Sequence, residues 1–165
     1  MRKIGLLLIM LIVASACNSH PPDTAVIQSV HTYLKFHDAE KQGYVVAGPA
    51  GLANIDKLVK FYEDYKDKQP SSFMMARYTD EGDPIYVDLD YDGITISYTY
   101  DNTWDGHGGQ YKGVQRASCT QMDKRTGPRG ERYGTEYFLA SCKEDIGYSD
   151  EENEQYFILF VEEDK

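Results

Sequence analysis

Apolar and polar residues alternate most regularly over Asp83–Tyr100. Ile85, Val87, Leu89 and Tyr91 interleave with Tyr86, Asp88 and Asp90, and Ile94, Ile96, Tyr98 and Tyr100 interleave with Thr95, Ser97 and Thr99. A period of two marks strands with one buried face. Between the two runs lies Asp92-Gly93, a pair that favours a two-residue type I′ turn because both central residues take positive φ. Folding there sets Tyr91 opposite Ile94, Leu89 opposite Ile96, Val87 opposite Tyr98 and Ile85 opposite Tyr100. All eight apolar residues then share one side, and Tyr86, Asp88 and Asp90 face Thr99, Ser97 and Thr95 on the other. A slip of one residue would turn the whole apolar set to water. Such a hairpin is marginal alone and needs further strands or a helix over its apolar face.

The remaining pattern predicts those partners. Asp23 offers an N-cap, and Val26, Ile27, Val30, Tyr33 and Leu34 recur at helical spacing, predicting a helix over about 24–38 that contains His31 and His37 as ordinary helix residues. Gly43–Ala47 reads as a short strand ended by Gly48-Pro49-Ala50-Gly51. Asn54 is the expected cap of a second helix with Ile55, Leu58, Val59, Phe61, Tyr62 and Tyr65 on one side, stopped before Pro70. Phe73–Thr79 reads as a strand leading through an acidic turn into the hairpin. After a Gly- and Asp-rich loop at 101–109 come strands at about 111–122 and 132–142, joined by a turn at 126–130. An acidic loop at 144–154 precedes a last strand at 156–161. The expected architecture is α+β: a mostly antiparallel sheet of six or seven strands with one or two helices on one face.

The N-terminus carries an address. Arg2 and Lys3 precede an apolar run over Ile4–Val13, and Ala14-Ser15-Ala16 forms a small-residue cleavage site. The run is shorter than the roughly 20 residues a membrane span needs. Cys17 directly follows, an arrangement that resembles a bacterial lipoprotein signal, in which the cysteine is lipidated and becomes the first residue. Ala14 stands where such signals usually carry a large aliphatic residue, and an ordinary secretory cut at the same bond would leave Cys17 as a free thiol. The expected organisation is a signal peptide at 1–16, a tether at 17–23 and a single domain at 24–165. With Cys17 lipidated, Cys119 and Cys142 remain as a pair in an oxidising compartment, the alternative being two unpaired thiols on one hairpin.

Gly43-Tyr44-Val45-Val46, the helix with Asn54, Lys57 and Leu58, the block Arg77-Tyr78-Thr79-Asp80-Glu81-Gly82-Asp83-Pro84-Ile85, Tyr91-Asp92-Gly93, Tyr98–Asn102 and Tyr133–Tyr137 occur in that order. Together they resemble a family of small Gram-positive envelope lipoproteins built on domain of unknown function 4362. The resemblance spans about residues 38–161, and Cys119 and Cys142 fit its pattern. It implies an exported lipoprotein and brings no catalytic residues.

Charge narrows the partners. The chain carries 17 basic and 27 acidic residues, a formal −10, and loss of Arg2 and Lys3 with the signal leaves −12. So acidic a domain is a poor grip for nucleic acid. No G-x-S-x-G, H-E-x-x-H, C-x-x-C or phosphate-binding glycine loop occurs, and no cofactor is expected. Asp88, Asp90 and Asp92 match the first half of a calcium loop, but Thr99 stands at its twelfth position. The loop 101–109 gathers Asp101, Trp104, Asp105 and His107, and Arg77 with Glu81 and Asp83 forms a second candidate binding patch. The expected function is a non-enzymatic binding module. It is lipid-anchored on the extracytoplasmic face of the cell membrane and contacts an envelope protein or wall component. A small hydrolase using acidic residues and a calcium-binding surface protein are the alternatives.

Overall fold

A computed structural model describes residues 30–109 and 112–163. Its elements are α1 (Phe36–Lys41), β1 (Val45–Gly48), β2 (Gly51–Ala53), α2 (Ile55–Lys66), β3 (Ser71–Tyr78), β4 (Pro84–Tyr91), β5 (Ile96–Asp101), β6 (Val114–Arg129), β7 (Arg132–Cys142) and β8 (Tyr156–Glu162). The strands form one eight-stranded sheet in the order β2-β1-β3-β4-β5-β6-β7-β8. This corrects the expected six or seven strands. The sheet is also mixed: β1 runs parallel to β3, with β2 and α2 in the connection between them. The signal peptide, Cys17, the tether and residues 24–29 of the expected first helix lie outside the described residues.

Over β1, β3 and β4 the sheet buries both faces, which alternation alone did not predict. Val45, Met75 and Val87 point to an inner core with Leu58 and Phe61 of α2, whereas their neighbours Val46, Ala76 and Tyr86 point to an outer core with Ala39 of α1. The two helices therefore lie on opposite faces, not on one. The first helix is also shorter than expected, because residues 32–35 are extended and cross the outer face as a strap. Tyr86 holds this strap: its hydroxyl donates to Thr32 O (2.8 Å) and accepts from Leu34 N (3.1 Å). Tyr78 adds a hydroxyl bond to Leu34 O at 3.0 Å. Burial pushes the Tyr86 phenol up to about 12, as expected where the charged form would lose water.

The central hairpin keeps its face but shifts its register by two. Val87 pairs with Tyr100, Leu89 with Tyr98 and Tyr91 with Ile96. Ile94, expected opposite Tyr91, instead sits in the turn, 78% exposed. The cause is the Asp92 carboxylate. Its Oδ1 accepts from Ile94 N (2.8 Å) and Thr95 N (2.7 Å), closing a four-residue loop in which Gly93 alone has positive φ. A type I′ turn would need positive φ at Asp92 as well. A shift of two leaves the paired side chains on their expected sides and removes only Ile94 from the apolar set, so the alternation could not distinguish the registers.

Two further local readings change. Asn54 precedes α2 but makes no side-chain cap bond; its amide donates to Glu40 O (2.9 Å) and Tyr44 O (2.8 Å), tying α1 to β1. The turn expected at 126–130 is strand up to Arg129, which pairs with Arg132 across a two-residue loop of Gly130 and Glu131. Cys119 and Cys142 lie directly opposite in the β6–β7 register and form a disulfide, with sulfurs 2.00 Å apart.

Candidate functional site

In β3, Phe73, Met75 and Arg77 alternate onto the inner face. Placing a guanidinium in that row is unusual, and the curl of the sheet explains what surrounds it. In the sheet order β8 lies five strands from β3, yet the Arg77 guanidinium carbon is 5.9 Å from the centroid of the Phe157 ring. Between them opens a cleft of about 690 Å³, lined by Arg77, Tyr98, Tyr100, Asn102 and Gln115 on one side and by Asp145–Gly147, Ser149, Tyr156 and Phe157 on the other. That volume suits a small organic ligand.

The floor is aromatic and fixed. The Tyr98 and Tyr156 rings stand 5.1 Å apart, and Tyr148 packs on Tyr156 at 4.7 Å. The Tyr156 hydroxyl donates to Glu144 O (2.7 Å) and accepts from Ile146 N (2.8 Å), pinning the 143–155 loop as one wall. Phe157 N donates to Ser149 Oγ at 3.0 Å, closing that wall from the strand side. On the opposite wall Asn102 Oδ1 accepts from Gly113 N at 2.7 Å. The wall residues are thus held before any ligand arrives, which lowers the ordering cost of binding.

Arg77 dominates the electrostatics. Among the described residues no carboxylate lies within ion-pair distance of it. Burial pushes the Tyr98 phenol up, and Arg77 pulls the other way. Burial likewise raises Tyr100, again opposed by Arg77, with Asp105 adding to the rise. Both phenols therefore remain protonated and can donate or accept hydrogen bonds beside a permanent planar cation. Among the described residues that line the cleft, Asp145 is the single carboxylate, and it is exposed.

The residues singled out from sequence divide between the two sides of the sheet. Arg77 belongs to the cleft and makes no ion pair with Glu81 or Asp83. Glu81 is exposed in the β3–β4 turn. Asp83 Oδ2 accepts from Gly106 N at 2.9 Å, fastening that turn to the 101–109 loop. Asp101 is fully buried and accepts from Thr103 N (2.9 Å), and Asp105 Oδ1 accepts from His107 N (2.8 Å), leaving His107 exposed. Trp104, 38% exposed, donates its indole N–H to His31 O (2.9 Å) and meets the Tyr33 ring edge-on at 5.8 Å. The loop therefore clasps the strap.

His31 is no ordinary helix residue. Its side chain is 8% exposed, stacked 4.3 Å from the Tyr86 ring, with Nε2 2.8 Å from Asp88 Oδ2 and Nδ1 3.2 Å from the Tyr44 hydroxyl. Asp88 is thus committed to the strap and Asp92 to its turn, while Asp90 is exposed on β4. The three aspartates do not converge, and among the described residues no group of three His, Cys, Asp or Glu side chains is placed to hold a metal ion.

Tyr98, Tyr100, Gln115, Asp145, Tyr156 and Phe157 were not anticipated as site residues, whereas Asn102 belongs to the 101–109 loop expected to bind. One signal did exist: an arginine in phase with Phe73 and Met75.

Residues 42–134 match the family described as Domain of unknown function (DUF4362). The chain belongs to this family. No curated protein and no solved structure matches it. The matched stretch carries Arg77, Tyr98, Tyr100, Asn102 and Gln115, while the wall from Asp145 to Phe157 follows after it.

Proposed function

We propose that the protein is an extracytoplasmic lipoprotein whose domain is a non-enzymatic module that binds a small ligand in the Arg77 cleft. The observation that carries this reading is a half-buried guanidinium without a carboxylate partner among the described residues, set between preorganised aromatic walls. A half-buried cation without a counter-ion gains from a ligand that brings the missing anion. The rival hydrolase reading requires two carboxylates flanking a scissile bond, and the cleft offers only Asp145. The anchor rests on the sequence, where Cys17 directly follows Ala14-Ser15-Ala16.

Two experiments test the two halves. A panel of small acids, phosphates and sugars is screened by thermal shift, and binders are mapped by NMR. Hits should perturb Tyr98, Tyr100 and Gln115 and be lost in Arg77→Gln. Hits that all map elsewhere, or that keep full affinity in the variant, refute the cleft reading. For the anchor, Cys17→Ser should move the protein from membranes into the medium. Wild-type protein found in the medium with an unmodified thiol would refute lipidation.

A further inference from the structure

We infer that the cleft takes an anionic saccharide, with its acid group on Arg77 and its ring against the Tyr100 and Phe157 side chains; this rests on the cleft reading above. Three features narrow the class beyond an anion.

The first is the guanidinium itself. Its planar fork suits two parallel bonds to a carboxylate or a phosphate oxygen pair. Tyr98 and Tyr100 line the same cleft, and the half-buried Tyr100 carries a hydroxyl able to donate to the same anion.

The second is the wall chemistry. Tyr100 and Phe157 are half-buried and line the cleft; the Arg129 guanidinium, 4.4 Å from the Phe157 ring centroid, packs on that ring, which leaves Tyr100 as the more open aromatic surface. Beside them stand Asn102, Gln115, Ser149 and Asp145; Ser149 and Asp145 are exposed and able to meet hydroxyls. A bare inorganic anion would leave the aromatic faces wet. An apolar acid would cover those faces but strip water from the exposed Ser149 and Asp145 without replacing its hydrogen bonds. A sugar ring meets both demands, because its C–H face is apolar and its edge carries hydroxyls.

The third is the rim. Asp145 is an exposed carboxylate at the mouth. It can accept from a hydroxyl but would repel a second acid, so the ligand carries its acid at one end only. A volume of about 690 Å³ admits one or two sugar units, within the range of small-molecule sites.

The test titrates the isotope-labelled mature chain, disulfide intact, with four probes: galacturonate, galactose 6-phosphate, galactose and benzoate. At least one of the two acidic sugars should shift the Arg77 Nε–H, Tyr100 and Gln115 signals. It should bind about tenfold or more tightly than galactose and benzoate, the difference one charge-assisted contact supplies. Which acidic sugar binds better decides between a carboxylate and a phosphate. Arg77→Gln should remove that advantage while its melting temperature and disulfide remain; the wild-type titration decides the matter if that variant fails to fold. Equal binding of galactose overturns the acid group. Binding of benzoate alone overturns the saccharide class and leaves the cleft as a ligand site. If none of the four moves the cleft signals, the saccharide inference falls, and the wider panel then judges the cleft by itself.

Discussion

Gly127 and Gly134 face each other across the β6–β7 hairpin, yet the structure assigns them opposite tolerances. A methyl group on Gly134 would press into the Val161 carbonyl oxygen and lie 2.8 Å from Glu162 Cα and 2.9 Å from Phe160 Cζ. Two of these neighbours are β8 backbone, so the strand itself must move rather than one side chain. Overpacking of this kind costs about 1–3 kcal/mol, and displaced ladder bonds push Gly134→Ala toward the upper end. A methyl on Gly127 meets nothing within 4 Å. Gly127→Ala should instead be neutral or stabilise by up to about 1 kcal/mol, through lower entropy of the unfolded chain. Denaturant melts of both variants with the disulfide intact measure the contrast. Because β8 carries Phe157 into the cleft, Gly134→Ala should also shift Tyr98 and Tyr156 signals, and Gly127→Ala should not. Stabilities within about 0.5 kcal/mol of each other would refute the claim that β8 crosses close over Gly134.

Tyr86→Phe deletes the hydroxyl that serves both Thr32 O and Leu34 N, so it should cost about 1–2 kcal/mol and speed amide exchange at Leu34 without moving the cleft signals. Reducing the Cys119–Cys142 bond, which joins residues 23 apart, should lower stability by roughly 3–3.5 kcal/mol on the loop-entropy estimate, seen as a lower denaturant midpoint. The backbone N–H bonds from Thr95 and Ile94 hold the Asp92 carboxyl below its ordinary range. Its stabilising effect is therefore complete above the ordinary carboxylate pKa, near 4, and is lost as pH falls through the lowered value. Acid titration of stability should accordingly be shallower in Asp92→Asn than in the wild type.

Strand identity was legible in the sequence because period-two alternation reports which residues share a face. It does not report whether a face is covered. Tyr86 was read as solvent-facing, since a phenol between polar neighbours fits a wet surface. Its partners, Thr32 and Leu34, sit more than fifty residues away, and their helical spacing masked an extended strap. The hairpin register failed for a different reason. Asp92-Gly93 signals a turn, but an aspartate side chain competes for the backbone N–H groups that follow it. Two registers that differ by two residues keep the same strand faces and differ in the apolar set only at Ile94, and the side-chain bonds of Asp92 decided between them. Cysteine parity fared better because it needed only a count and a compartment.

The cleft shows why the site was harder to read than the sheet. A flat sheet would hold β3 and β8 roughly 24 Å apart, at about 4.8 Å per strand step. Arg77 nevertheless reaches to 5.9 Å from the Phe157 ring centroid. That closure depends on curl, and its structural marks fall late in the chain: the register shift between Tyr137 and Phe138, the tight approach of β8 to Gly134, and the Tyr156 hydroxyl that pins the 143–155 loop. None of these changes the alternation of β3 or β5, so nothing near Arg77 announces them. The family match ends at Gly134, at the point where the second wall begins to form. If acid recognition belongs to Arg77, ring recognition is shared between Tyr100, inside the matched stretch, and Phe157 with Asp145, beyond it. Substitutions at Phe157 or Asp145 should then alter which sugar binds while leaving the preference for an acid, and Arg77→Gln should do the reverse. Titrating Asp145→Asn with galacturonate and its epimer glucuronate separates the cases. A variant that loses the acid preference but keeps the epimer ratio would place acid recognition at the rim and refute this division.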